Sequence, residues 1–132
     1  MAIIGQGISL RGMTHEKFHY PFYLKAGIVR ADVGKAVSLD NTAANTVKLA
    51  EDGDPIIGRL VSWEDRSVEG VLVGTVEHRG GLPFTKAAAA PAINVGDTVV
   101  GAGGGEVKAA ATANHADNYV VEVAGDQIIT VR

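Results

Sequence analysis

The stretch "EGVLVGTVEHR", residues 69–79, sets the β character of this chain. It is rich in valine, and β-branched residues favour strands over helices. The stretch "PIIGRLVSWED", residues 55–65, has a similar apolar texture, and a polar turn around Arg66 to Glu69 separates the two stretches. We therefore predict that they form a long two-stranded ribbon.

Three more pairs of short apolar runs surround this ribbon, each joined by a turn-forming segment. Such pairs are typical of β-hairpins. We predict a mostly β fold, with less than about a fifth of the residues helical, arranged as a small antiparallel β-barrel or sandwich built from hairpins and carrying an extended N-terminal arm. The pairs are "GKAVSL" (34–39) with "NTVKLA" (45–50), "DTVVGA" (97–102) with "EVKAAA" (106–111), and "NYVVEVAG" (118–125) with "QIITVR" (127–132).

Length and composition restrict the class of protein. A chain of 132 residues is the usual size of one domain. The net charge of −3 provides no basic surface, so we expect no nucleic-acid partner. Cysteine is absent, which excludes disulfides and cysteine-based zinc sites. No apolar run approaches the ~20 residues of a membrane-spanning helix, and the N-terminal sequence lacks signal-peptide features. We expect a soluble protein made in the cytoplasm, with no membrane partner.

The segment "HEKFH" contains His15, Glu16 and His19 in the H-E-x-x-H spacing of zinc proteases. That chemistry needs a helix, which projects both histidines from one face and places the glutamate as general base. The extended form of the signature requires glycine and histidine at positions occupied here by Phe22 and Lys25. We therefore predict no catalytic residue, no metal and no cofactor. The alternative is a zinc-dependent hydrolase using the motif at 15–19.

The same region holds four of the seven aromatic residues of the chain, and aromatic side chains anchor many protein interfaces. We predict that residues 1–23 form an extended arm packed on another subunit or on a partner, and that residues 24–132 form a barrel that folds without it. The alternative is that this region provides a strand of the barrel's own core. The predicted contact residues are Phe18, Tyr20, Phe22 and Tyr23.

Three sequence motifs follow one another along the body of the chain. They are "GKAV.L", then "NTVKLA.DGD.I.GRL...EDR.VEGV.VGTV", then "VGD.VVGAG.G.VK.A", within residues 33–131. In this order the chain resembles the capsid cement, or head decoration, proteins of tailed bacteriophages. The arm lies outside the region of resemblance.

The resemblance implies a small, non-enzymatic β protein of the virion. Such proteins bind the outer surface of an assembled capsid, commonly as homo-oligomers at threefold positions, and stabilise it by bridging major capsid protein subunits. We therefore expect a homo-oligomer, with a trimer favoured over a dimer. The only tryptophan, Trp63, could be a core or a contact residue, and we include it among the predicted capsid or oligomer contacts. A third alternative is a small β-barrel module that binds a sugar or peptide through Trp63 and Tyr119.

Overall fold

The computed structural model describes residues 19–111 and 118–132. Within them, strand accounts for 49% and helix for 6%, which confirms the predicted mostly β fold. No described helix is long and apolar enough to cross a membrane. The two helical segments are single 3-10 turns, Arg30–Asp32 and Ser67–Glu69. The strands are β1 (His19–Leu24), β2 (Ala36–Leu39), β3 (Thr46–Leu49), β4 (Gly58–Leu60), β5 (Glu64–Arg66), β6 (Val71–Glu77), β7 (Gly81–Thr85), β8 (Val99–Gly103), β9 (Glu106–Ala109), β10 (Tyr119–Ala124) and β11 (Gln127–Val131).

Five strands form a small closed barrel in the order β1-β3-β2-β4-β6, and pairing of β6 with β1 completes the circle. Every pair is antiparallel except β1 with β3, which is parallel. Inside the barrel is an apolar core made of aliphatic side chains from these strands and from the segment after β1. The fully or almost fully buried members are Leu24, Ile28, Val37, Val47, Leu60 and Val76.

The ribbon predicted from residues 55–79 is confirmed, because β4 and β5 both pair antiparallel with β6. At its middle, Gly74 allows a close approach of two other segments. A Cβ atom at this position would lie 2.6 Å from the carbonyl oxygen of Ser62 and 3.0 Å from the side chain of Leu24. Only a residue without a side chain fits between them, so this glycine sets how tightly the barrel closes.

A second layer covers one side of the barrel. It consists of a three-stranded antiparallel sheet in the order β10-β11-β7 and the hairpin β8–β9. The three smaller hairpins predicted from the sequence are all present, as β2–β3, β8–β9 and β10–β11. This layer has its own apolar core, to which the barrel wall contributes. Its buried members are Ala36, Ala50, Ile56, Leu82, Phe84, Ile93, Val99, Val107, Val120 and Ile128.

Strand β2 is the wall that the two cores share. Its successive side chains alternate between the two faces of the sheet. Val37 therefore packs into the barrel core and Ala36 into the second core, and both are completely buried. The tip of the β8–β9 hairpin is held against the same wall, because the amide of Ala36 donates a hydrogen bond to the carbonyl of Gly105.

The predicted boundary between an arm at 1–23 and a barrel at 24–132 is wrong, because it falls inside β1. His19 to Tyr23 pair with β6 of the same chain over five consecutive residue pairs. Tyr23 and Leu24 also pair with β3. Residues 19–23 therefore form a strand of the barrel itself, which was the alternative interpretation. Residues 1–18 lie outside the described part of the chain.

This correction changes the expected effect of truncation. Because all described pairings of β1 lie within His19–Leu24, we expect the protein without residues 1–18 to keep a cooperative thermal unfolding transition. Deletion of residues 1–24 removes the closing strand and exposes the barrel core, so the barrel should not fold. Circular dichroism melts of the two proteins measure this difference. A cooperative melt of the shorter protein would show that β1 is dispensable.

Candidate functional site

Three of the predicted contact aromatics lie on β1, but they do not form one surface. Side chains of a strand alternate between its faces, so Tyr20 and Tyr23 lie on opposite sides of β1. Both are about half exposed, at 54% and 48%. Phe22 lies on the same side as Tyr20 and packs against the barrel core. Phe18 lies outside the described residues. The aromatic cluster of the sequence is therefore divided between two sites.

The first site is the place where Tyr20 contacts His78, the residue that follows β6. The two rings meet edge to face, with centroids 4.9 Å apart and an interplanar angle of 75°. The ring of Phe22 lies 5.7 Å from that of His78 on the same side. Aromatic contacts of this kind add about 0.5–1.5 kcal/mol beyond the area that they bury. His78 therefore anchors the first half of β1 through its ring.

The environment of His78 favours the neutral imidazole. Its Nε2 atom is buried and has no hydrogen-bond partner among the described residues. Burial lowers the pKa of His78, and the nearby charge of Arg132 lowers it further. A hydrogen bond to the carbonyl of Ile57 opposes these effects in part. Arg132 is itself fixed there, since its guanidinium donates to the carbonyls of Ile57 and His78. His78 therefore acts as an aromatic packing group at neutral pH.

The second site is a shallow apolar groove on the outer wall of the barrel, which we call the Tyr23 groove. It consists of two hollows of about 370 and 320 Å³, and Tyr23 lines both. The first hollow is also lined by Leu24, Ala26, Thr46, Ser67, Gly70, Val71 and Leu72. The second is also lined by Pro21, Phe22, Asn45, Arg66 and Val73.

Trp63, the fifth predicted contact residue, is placed mainly by bonds within the chain. Its indole N–H donates to the carbonyl of Ile28 over 3.0 Å. The guanidinium of Arg30 lies 5.1 Å from the ring centroid, within the range of a cation–π contact. The rest of the ring packs against the barrel core. These contacts account for Trp63 without a partner molecule, and Tyr119 lies on β10 of the other sheet, half exposed.

The geometry required by the H-E-x-x-H signature is not met at its second histidine. His19 is the first residue of β1 and is extended, whereas the signature needs it on a helix. Its Nε2 lies 3.2 Å from Oε2 of Glu77 on the paired strand. His15 and Glu16 lie outside the described residues. Within 19–111 and 118–132, no three acidic, histidine or cysteine side chains form a group that could hold a metal ion.

The acidic residues near Trp63 do not form a catalytic pair. Glu64 and Asp65 pair with successive residues of β6, so they lie on opposite faces of β5. Glu64 binds the Nε of Arg66 at 2.9 Å, and Asp65 accepts the amide of Ser67 at 2.8 Å. Both carboxylates therefore stabilise the local turn and strand.

Two residues in or next to these sites were not identified from the sequence. In the sequence His78 is an isolated polar position, because its aromatic neighbours are almost 60 residues away along the chain. Val68 lies in the polar turn after β5 and is fully exposed. The sequence signal that could have identified Val68 is its position as a lone aliphatic residue between Ser67 and Glu69, since turns of this kind are usually polar.

No protein-family model, curated protein or solved structure shows significant similarity to this chain.

The lowered pKa of His78 predicts that acid destabilises the folded protein. The folded protein binds this proton less tightly than the unfolded chain, so unfolding is favoured progressively as the pH falls below 6.5, the ordinary value. We expect His78→Phe, which keeps the ring contacts, to reduce this loss of stability. Melting temperatures measured from pH 7.5 to pH 5 test the expectation.

Asp40 provides a matched control. Hydrogen bonds from the side chain and amide of Thr42 lower the pKa of Asp40 below its ordinary value of 3.8. The stability that the Asp40 carboxylate contributes is therefore lost only as the pH falls below about that value. Asp40→Asn should therefore show the same fall in melting temperature between pH 7.5 and pH 5 as the wild type. If the melting temperature falls equally in the wild type and in His78→Phe, protonation of His78 is not the cause of the acid sensitivity.

Proposed function

We propose that this protein is a structural component of a tailed-phage virion that binds the outer surface of the assembled capsid. The observation that carries the proposal is the exposed Tyr20 at the start of β1, directly after residues 1–18, on a small rigid barrel. Half-exposed tyrosines are common anchors at protein interfaces. The order of motifs in residues 33–131, which resembles that of head decoration proteins, supports the same function.

In this role the protein bridges neighbouring major capsid protein subunits and stabilises the shell by binding to it. A ligand that binds only the intact state raises its stability by mass action. A capsid offers many identical sites, so a small contact repeated over the shell has a large total effect. Tyr20 and the segment before it provide the contact with the shell, and the barrel provides the rigid body. The protein acts as a homo-oligomer on the capsid exterior, after synthesis in the host cytoplasm.

The proposed role is not enzymatic, and both described histidines make contacts within the fold. A nucleophilic hydrolase needs an imidazole in hydrogen-bond contact with a hydroxyl or thiol nucleophile. His19 contacts the carboxylate of Glu77, and His78 contacts two aromatic rings. Buried hydroxyls are used in the main-chain network, since Ser38 and Thr130 donate to backbone carbonyls.

Binding to empty shells tests the proposal. The shells are assembled from the major capsid protein encoded in the same genome, and bound protein is measured by co-sedimentation. We expect saturable binding and a higher melting temperature of the shell. Deletion of residues 1–18 and Tyr20→Ser should each weaken binding by about tenfold or more, the effect of losing one interface anchor.

Tyr119→Ser is the matched control, because Tyr119 is exposed to a similar extent but belongs to the second sheet. It should bind like the wild type. Absence of binding to correctly assembled shells would disprove the proposal. Near-stoichiometric zinc in the purified protein, lost in His15→Ala, would favour the hydrolase instead.

A further inference from the structure

Val68 is the most exposed of the large apolar residues described, with a relative accessibility of 101%. It lies in the 3-10 turn Ser67–Glu69. Its neighbours Ser67 and Gly70 line the larger hollow of the Tyr23 groove. The turn that carries this projecting aliphatic side chain therefore borders an apolar hollow. Contiguous apolar surface of this kind, with a polar rim, marks interaction sites more often than an isolated exposed residue does.

The rim of the groove carries charges of both signs. Arg66 lines the smaller hollow and is bonded to Glu64 at a distance of 2.9 Å. The carboxylate of Glu64, and with a smaller effect that of Glu69, raises the pKa of Arg66, so both acidic groups lie near it. A face with charges of one sign would repel its own copy. This face instead offers both halves of an ion pair a few residues apart.

We infer that the Tyr23 groove is a contact surface for a second copy of this chain, related to the first by a twofold axis. In a twofold contact the same patch serves both partners, so it must contain both the projecting group and the hollow that receives it. The Tyr23 groove meets this requirement, because Val68 and its receiving hollow are adjacent. Val68 of each copy enters the hollow of the other, and Arg66 faces the partner's Glu69.

The arrangement argues against other occupants of the groove. A ring of three copies needs a projecting group on one side of the molecule and a hollow on another side, and here the turn that carries Val68 borders the hollow. The threefold contact implied by the resemblance therefore uses a different surface. The hollows are small, whereas a stable interface buries ~800 Å² on each partner. We therefore expect a weak dimer, with a dissociation constant on the order of 10 µM.

Sedimentation velocity between about 1 and 100 µM measures this association, a range that brackets the expected dissociation constant. We expect the wild-type protein to change from monomer to dimer over this range. Val68→Glu places a charge in the apolar hollow of the partner and should weaken association at least tenfold. Val95→Glu is the matched control, because Val95 is also an exposed valine in a loop, outside the groove. It should associate like the wild type.

A charge exchange tests the twofold geometry directly. Arg66→Glu alone brings two pairs of like charges together in the dimer, and so does Glu69→Arg alone, so each variant should dimerise more weakly. A mixture of the two variants has two attractive pairs and should form a heterodimer with restored affinity. In a ring of three, at least one like-charge contact would remain in any mixture.

Four outcomes overturn the inference. They are a monomeric wild type up to 100 µM, equal association of Val68→Glu and Val95→Glu, a trimer that Val68→Glu dissociates, and a dimer that forms only after deletion of residues 1–18. The last would mean that this segment occupies the groove. The inference specifies one contact of the proposed homo-oligomer, but its test uses no capsid. Failure of shell binding and failure of dimerisation are therefore distinguished.

Discussion

The pairing of β1 with β6 is the interaction on which the barrel depends. It joins residues far apart in sequence, and it closes a sheet whose other strands are connected by short turns or loops. Closing so large a loop has an entropic cost that must be offset by burial. Leu24 supplies part of that burial by packing beside Gly74, where any side chain would collide with it. Once closed, the barrel has no free edge at β1 or β3, and exposed edges are where strands aggregate.

The hairpins were predictable because the residues that determine each one are close together in the sequence. Alternating apolar residues and a short turn determine each one, as Gly125 does in the left-handed conformation with φ 63° between β10 and β11. The closing strand was not predictable in this way. His19 to Leu24 contains proline and aromatic residues without a clear period, and its partners lie about fifty residues downstream in β6. The parallel pairing with β3 likewise has no local signal.

The candidate sites were predictable in composition but not in arrangement. The aromatic content of β1 led to the prediction that Tyr20 and Tyr23 are contact residues, and both are half exposed. Strand alternation divides them between two surfaces, which became apparent only once the strand was placed. Trp63 was also predicted as a contact residue, yet the carbonyl of Ile28 and the nearby guanidinium of Arg30 hold it within the chain. Aromatic residue type alone does not separate a surface anchor from a structural one.

The shared wall at β2 has a consequence for how the molecule loses its structure. Because Ala36 belongs to one core and Val37 to the other, disruption of either core displaces a strand of both. The barrel and the covering layer should therefore unfold in denaturant as one cooperative unit. The unfolding free energy should fall with denaturant concentration at the slope expected when the buried surface of both cores is exposed together. Amide protons of β6 and β11 should then exchange through the same global opening. Each molecule would then be either fully folded or fully unfolded, with no loosened half available to proteases.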